Sequence, residues 1–507
     1  MKYCLIQLGC QMNQSDGERI RTVIESLGYS PTESEEEADL LGIVACSVRQ
    51  KAIDKVYSRI EKWNRWKNDR NLLTFVSGCI LPADRVKFLD RFDLLFSIND
   101  LPQLPDMIRQ YGIVTPASGI AVNAEYDPAE AATKSVSRTQ PAQVRPAAEG
   151  SGPAAVRGTV LTAASLKNSR GRKNAALTPA QPSDDRDTSY WRIGPSYQSS
   201  FEAYIPIQNG CDKFCTFCAV PYTRGREVSR NSTDIFAEVR QLVSDGYRSI
   251  TLLGQNVNSY GLDKNGEEIS FAQLLRGIGE IGKETGADFW TYFTSPHPRD
   301  MTDEVIDTIS QYPVLAKMIH LPVQSGDDKV LLRMNRNHSM ARYRKIVEKI
   351  RSTIPEATLF TDIIVGFTGE TEEQFENTRL AMEEFQYNMA FVAMYSPRPG
   401  AASARWNDDI PMDEKKRRMH ILQAELKRSS HRYNRSLIGR TIRVLVDGRD
   451  RKAGYLSGKT EGKLTVRFAS ENEHLIGTFV HLHITDCSEL SLEGSLVNAV
   501  GELNVAS

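Results

Sequence analysis

Long hydrophobic runs are missing from this 507-residue chain: no stretch of about eighteen apolar residues is present to span a membrane. No positively charged segment with an apolar run behind it opens the sequence, because Met1-Lys2-Tyr3-Cys4-Leu5-Ile6-Gln7 leads directly into Gly9-Cys10. A cytoplasmic location, with no membrane association, is the expectation. Cysteine is scarce at eight residues, too few for a disulfide scaffold. Charge of neither sign dominates, with 63 Lys and Arg against 64 Asp and Glu, so net charge alone names no partner.

The few cysteines that exist are clustered. Cys211-Asp-Lys-Phe-Cys215-Thr-Phe-Cys218 gives the spacing Cys-x3-Cys-x2-Cys, and no fourth Cys or His follows within twenty residues of Cys218. A structural zinc site would want that fourth ligand. Three thiolates hold three irons of a [4Fe–4S] cube and leave the fourth iron open to a substrate or cofactor. The spacing is that of the radical S-adenosylmethionine (SAM) enzymes.

A second trio, Cys10, Cys46 and Cys79, is spread at intervals of one strand plus one helix. Tyr3 to Leu8, Leu40 to Ala45 and Leu72 to Gly78 are apolar without alternation, which is the pattern of buried parallel strands. Asp16 to Leu27 and Arg49 to Lys67 read as the helices between them. In such an open α/β sheet ligands bind at the carboxyl ends of the strands, where each of these cysteines falls. A second cluster with three protein ligands is one reading; three unrelated core cysteines is the other.

Residues 113–196 are rich in Ala, Ser, Thr, Pro and Gly and carry few apolar residues, as a disordered linker does. Strand–helix units follow. Apolar runs at Ala203 to Gln208, Ser249 to Leu253, Phe289 to Phe293, Met318 to Leu321, Leu359 to Val365 and Met389 to Tyr395 each end in glycine or polar residues. Six units make a partial (β/α)6 barrel with its site at the strands' carboxyl ends. Gln324 and Asp362 sit at two of those ends and are candidate SAM contacts. From about Gly439 the pattern becomes short β runs separated by turn residues, which is a small β-barrel. Lys415 to Lys452 holds thirteen Lys or Arg against three acids, a candidate nucleic-acid footprint in which Arg440, Arg443 and Lys452 are the barrel's candidate RNA contacts. Gly454 to Thr460 looks like a phosphate loop but has the wrong spacing and a β context, so it is given no nucleotide role. His297 reads as structural, His338 near a helix start as either a phosphate contact or a capping or surface residue, and Cys4 and Cys487 as buried thiols.

The cysteine window, Gly9-Cys10-Gln11-Met12-Asn13, Cys46 with Arg49, and Gly78-Cys79 together resemble the radical SAM methylthiotransferases. Val220-Pro221-Tyr222-Thr223-Arg224-Gly225-Arg226-Glu227-Val228-Ser229-Arg230 and Gly254-Gln255-Asn256-Val257-Asn258 are most similar to the MiaB branch. The ending resembles a TRAM domain. The resemblance divides the chain into an N-terminal domain at 1–112, the linker at 113–196, a radical SAM core at 197–436 and a TRAM-like barrel at 437–500. It departs from the family pattern at Ile80-Leu81-Pro82 after Cys79, at Gly17 and at Ala401-Ala402.

The resemblance implies two [4Fe–4S] clusters, one on Cys211, Cys215 and Cys218 that binds and cleaves SAM, one on Cys10, Cys46 and Cys79 that delivers sulfur. It implies sulfur insertion and methyl transfer at C2 of N6-isopentenyladenosine next to the anticodon of tRNA. The two clusters would then face one adenine, splayed out of its loop. Further implied is an electron donor such as a flavodoxin-type protein; a monomer is one state open to the chain, which the sequence does not decide. The rival readings are a methylthiotransferase for N6-threonylcarbamoyladenosine or for a ribosomal-protein aspartate, a radical SAM enzyme whose N-terminal trio is only structural, and a non-catalytic iron–sulfur RNA-binding regulator.

Overall fold

The computed structural model describes residues 1–47, 50–111 and 188–497. Most of the expected linker, and Arg49, lie outside the described residues. The chain divides into two compact units, 1–198 and 199–507.

The first unit is built on five parallel strands, β1 (Lys2–Gln7), β2 (Ser30–Pro31), β3 (Leu40–Cys46), β4 (Leu73–Cys79) and β5 (Leu94–Leu95), in the order β2-β1-β3-β4-β5. All seven residues of β3 are buried, as the unbroken apolar run requires of a central strand covered on both faces. On one face α2 (Gln50–Trp66) and α3 (Pro82–Leu89) contribute Val56, Ile60, Trp63 and Phe88 to a core with Leu41, Ile43 and Val76. The helix α1 (Gln11–Ser26) starts five residues earlier than the apolar periodicity suggests, directly after Cys10. Strand order reverses between β1 and β3, so the ligand crevice of this sheet opens there.

The end of the compositional linker is structured. Ser189–Arg192 form a 3-10 turn with Tyr190 and Trp191 buried. Ser196 N–H donates to the Glu18 carbonyl at 3.1 Å, and Thr22 Oγ1 donates to the Gly194 carbonyl at 2.7 Å. Two aromatics in a stretch otherwise poor in apolar residues were the signal that composition averaged away.

The second unit opens with β6 (Glu202–Pro206) and a short antiparallel pair, β7 (Gln208–Asn209) with β8 (Val228–Ser229). The other parallel strands are β9 (Ser249–Leu253), β10 (Trp290–Phe293), β11 (Met318–His320), β12 (Thr358–Val365) and β13 (Met389–Met394). They form two three-stranded sheets, β6-β9-β10 and β11-β12-β13, joined by a parallel bridge between Thr291 and Leu315. The six strands thus run in sequence order as a partial (β/α)6 barrel. Ile205, Ile250 and Leu252 of these strands are fully buried.

A closed five-stranded barrel follows: β14 (Thr441–Arg449), β15 (Tyr455–Thr460), β16 (Thr465–Ala469), β17 (Phe479–Cys487) and β18 (Ser491–Leu496), ordered β14-β15-β16-β18-β17. Its core is Val444, Val446, Leu456, Val466, Phe468, Leu482, Ile484 and Leu492. It plugs the amino-terminal end of the larger barrel, where Leu445 and Phe479 join Trp290, Tyr292, Met318 and Phe360. Among the described residues no helix is long and apolar enough to cross a membrane.

Candidate functional site

The first trio lies where the open sheet reverses its order. Cys46 and Cys79 end β3 and β4 as directly paired neighbours, and Cys10 precedes α1 in extended backbone. Cys46 and Cys79 are buried while Cys10 is exposed, on a cavity of about 400 Å³ that Gln7, Leu8, Gly9, Gln11 and Gln14 also line. Two glycines make the approach possible. Gly9 has φ +126°, and a Cβ there would lie 2.8 Å from the Cys46 Cβ; Gly78 has φ +102°, and its Cβ would lie 2.4 Å from the Ala45 carbonyl oxygen.

Asn13 ties the three loops together. Its Nδ2 donates to the carbonyls of Leu8 and Ala45, each at 2.7 Å, and its Oδ1 accepts from the Cys79 thiol at 3.4 Å. The sequence displays Asn13 beside Cys10 but gives no hint of this role, because two of its three partners, Ala45 and Cys79, come from distant strands.

The second trio sits at the mouth of the partial barrel, past β6 and β7. Gly210 turns the chain at φ +78°, so close to the next segment that a Cβ would lie 1.9 Å from the Arg226 carbonyl oxygen. Burial pushes the Cys211 thiol up to about 12 and the Cys218 thiol up to about 11, and the neighbouring cysteines push in the same direction. Cys211 and Cys218 therefore rest as protonated thiols in the bare loop, and a strongly cationic group is needed to hold them as thiolates. That donor set fits an iron–sulfur cluster. Among the described residues no group of His, Cys, Asp and Glu converges on a single metal ion; a cube takes one thiolate per iron corner, so its ligands stand apart.

The loop is braced from several directions. Asn335 Nδ2 donates to the carbonyls of Lys213 and Phe214, and Thr216 N–H donates to the Met334 carbonyl at 3.0 Å. Lys213 pairs with Asp300 at 2.6 Å. Arg336, nearly buried, donates through Nη1 to Cys215 Sγ at 3.6 Å and through Nη2 to the Pro322 carbonyl at 2.9 Å. Glu227 is buried beside this loop. Burial pushes its carboxyl up to about 7, against the opposing Ser259 hydroxyl that donates to Oε1 at 2.6 Å, while Oε2 is buried without a hydrogen-bond partner. The sequence signal for Glu227 and Arg336 is only that each follows arginine or asparagine in a Gly/Asn-rich turn, which carries no chemistry by itself.

The other sequence candidates fall as follows. Gln324 and Asp362 are adjacent, with Gln324 N–H on the Asp362 carbonyl at 2.9 Å; the Asp362 carboxylate is hydrogen-bonded to His320 Nε2 at 2.7 Å. His297 caps a short turn, its Nδ1 accepting from Arg299 N–H, and Ser339, not His338, caps α10 (Met340–Thr353). Arg440 is exposed and Lys452 lies over the Tyr455 ring and near Glu493. Arg443 is committed internally: it pairs with Asp288 and stacks on Phe479, 3.7 Å from the ring centre. The basic run is likewise partly spent inside, with Lys415 on Asp408 and Arg418 on Glu370, both cations buried. Cys4 is buried, whereas Cys487 is only half-buried.

Comparison with known proteins defines first a class. Residues 205–381 match the radical SAM superfamily, residues 2–97 match an uncharacterised protein family, UPF0004, and residues 435–497 match the TRAM domain. The solved radical SAM methyltransferase TsrM from Kitasatospora setae aligns with a TM-score of 0.49 at 11% identity, covering 90% of this chain and 78% of that one. At the level of sequence, the tRNA-2-methylthio-N(6)-dimethylallyladenosine synthases of Actinobacillus succinogenes and Haemophilus influenzae are each 34% identical over 504 residues, 98% of this chain and 92% of theirs. The chain belongs to that family of radical SAM methylthiotransferases.

Proposed function

We propose that this enzyme methylthiolates C2 of N6-dimethylallyladenosine beside the anticodon of tRNA, using two [4Fe–4S] clusters. The observation that carries the reading is the placement of two separate cysteine trios, each at the carboxyl edge of a parallel sheet. Cys211, Cys215 and Cys218 hold the cluster that engages SAM, and Cys10, Cys46 and Cys79 hold the second, with Cys10 on the open cavity side. When bound, the clusters would supply one-electron chemistry and sulfur, and SAM the methyl group, none of which a side chain can provide at an unactivated C–H bond.

The chain's own residues bind and position. Gly9, Gly78 and Gly210 let the backbone close around the thiolates. Gln324 and Asp362 are the candidate SAM contacts, although Asp362 lies in the middle of β12 and not at the strand end the sequence suggests, with His320 hydrogen-bonded to its carboxylate. The C-terminal barrel contributes exposed cations such as Arg440 to the phosphate backbone. The cluster on Cys211, Cys215 and Cys218 would draw its electron from a donor such as a flavodoxin-type protein, and the reaction belongs in the cytoplasm. Mass spectrometry of tRNA nucleosides from a deletion strain tests the assignment. Loss of the 2-methylthio derivative of N6-dimethylallyladenosine is expected; loss of the threonylcarbamoyl counterpart would overturn it.

A further inference from the structure

Arg336 has no part in the chemistry above. It lies in the turn after α9 (Asp328–Arg333), between Asn335 and Asn337, whose φ angles of +55° and +52° hold the turn in the left-handed region. Only 6% of it is exposed. Its hydrogen bonds go to the Pro322 carbonyl and to Cys215 Sγ, its Nε is buried without a partner, and among the described residues no carboxylate bonds to it. Two neighbouring cations are neutralised, Lys213 by Asp300 at 2.6 Å and Arg226 by Asp212 at 3.0 Å. A guanidinium keeps its proton at any working pH, so Arg336 is a permanent buried charge. A buried charge is stable where an anion answers it. The one sulfur it touches is Cys215 Sγ, which is a thiolate when it ligates a cluster.

We infer that Arg336 is the counter-cation of the cluster held by Cys211, Cys215 and Cys218, and that through Cys215 it raises that cluster's reduction potential. The inference rests on the three thiolates holding a [4Fe–4S] cluster. Reduction adds one electron from the donor protein and makes or breaks no bond. The reduced cluster carries one more negative charge, so an adjacent cation and an N–H donor on a ligating sulfur both favour it. Arg336 is thus a positioning and tuning residue that acts through Cys215.

The test is an EPR-monitored redox titration of the full-length reconstituted protein, with Cys10, Cys46 and Cys79 replaced by alanine so that one cluster reports. Iron content is measured in parallel. Arg336→Gln is expected to shift the reduction equilibrium at least tenfold toward the oxidised cluster, about 59 mV for one electron. Arg336→Lys, which keeps the charge, is expected to recover most of that shift. An unchanged potential in an Arg336→Gln protein with full iron overturns the inference. If Arg336→Gln loses the iron, Arg336→Lys must retain it; loss from both overturns the counter-cation role. An iron-free site in the protein with Arg336 intact would overturn the cluster reading itself, and this inference with it.

Discussion

Replacing Asn13 by alanine perturbs the N-terminal trio without touching any cysteine. The substitution deletes two hydrogen bonds of 2.7 Å, to the Leu8 and Ala45 carbonyls, and removes the acceptor facing Cys79. A buried hydrogen bond contributes about 1 kcal/mol net, and a carbonyl left unpaired costs about 1–3 kcal/mol. Water entering from the cavity at Cys10 relieves part of that, leaving a local destabilisation of about 2–3 kcal/mol. The loops that open are those of Leu8, whose N–H donates to the Val44 carbonyl at 2.8 Å, and Ser47, whose N–H donates to the Cys79 carbonyl at 2.8 Å. At 1.4 kcal/mol per tenfold, exchange of these two amides accelerates about 30- to 100-fold when they open locally. Asn13→Asp, which supplies no donor to either carbonyl, is expected to do at least as much. Native-state hydrogen exchange reads the effect directly. Exchange at Leu8 and Ser47 within threefold of the unsubstituted protein would refute the claim that Asn13 holds the three loops.

Other outcomes follow from single contacts. Gly210→Ala places a methyl group 1.9 Å from the Arg226 carbonyl oxygen at a positive φ, so the loop must move and the iron bound by Cys211, Cys215 and Cys218 should be lost, as iron analysis will read. Arg440→Ala should lower the salt-dependence slope of tRNA binding by about 1, whereas Arg443→Ala should leave the slope unchanged and cost about 1–2 kcal/mol of stability through the lost Phe479 and Trp290 stacking. Glu227 has a folded-state pKa raised by burial to about 7. Its folded state therefore favours the proton, and the stability this gives is complete below about pH 4.3 and is lost as pH rises through about 7, a difference of about 3–4 kcal/mol. Glu227→Gln should flatten that pH dependence in denaturant melts of the iron-free chain; an unchanged slope would show that Glu227 is solvated.

Elements defined by local pattern were readable before any coordinates. The run Ser249 to Leu253 is β9 in full, and the three apolar runs before Cys10, Cys46 and Cys79 are β1, β3 and β4 to within two residues at either end. Unalternating apolar runs bounded by glycine have one stable use in an α/β protein, so the pattern suffices. β18 was not foreseen, because Ser491 to Leu496 alternates around a single glycine in a chain segment poor in β-branched residues. The start of α1 is not readable because Gln11, Asn13, Gln14 and Ser15 are polar: Asn13 is buried on the Leu8 and Ala45 carbonyls, while Gln11 and Gln14 line the cavity. For the same reason the six cysteines stood out in the sequence, while Asn13, Glu227, Arg336 and the internal use of Arg443 did not. Cysteine spacing is a local signal. The partners of a buried polar side chain are set by which distant loops the sheet brings together.

The most direct test of the two-cluster account is the iron and sulfide content of anaerobically reconstituted protein, beside a variant with Cys211, Cys215 and Cys218 all replaced by alanine. The account predicts about eight irons falling to about four, one [4Fe–4S] cluster surviving on Cys10, Cys46 and Cys79. About four irons falling to none would contradict it, because the N-terminal cysteines would then hold no cluster and sulfur delivery would have no seat in this chain.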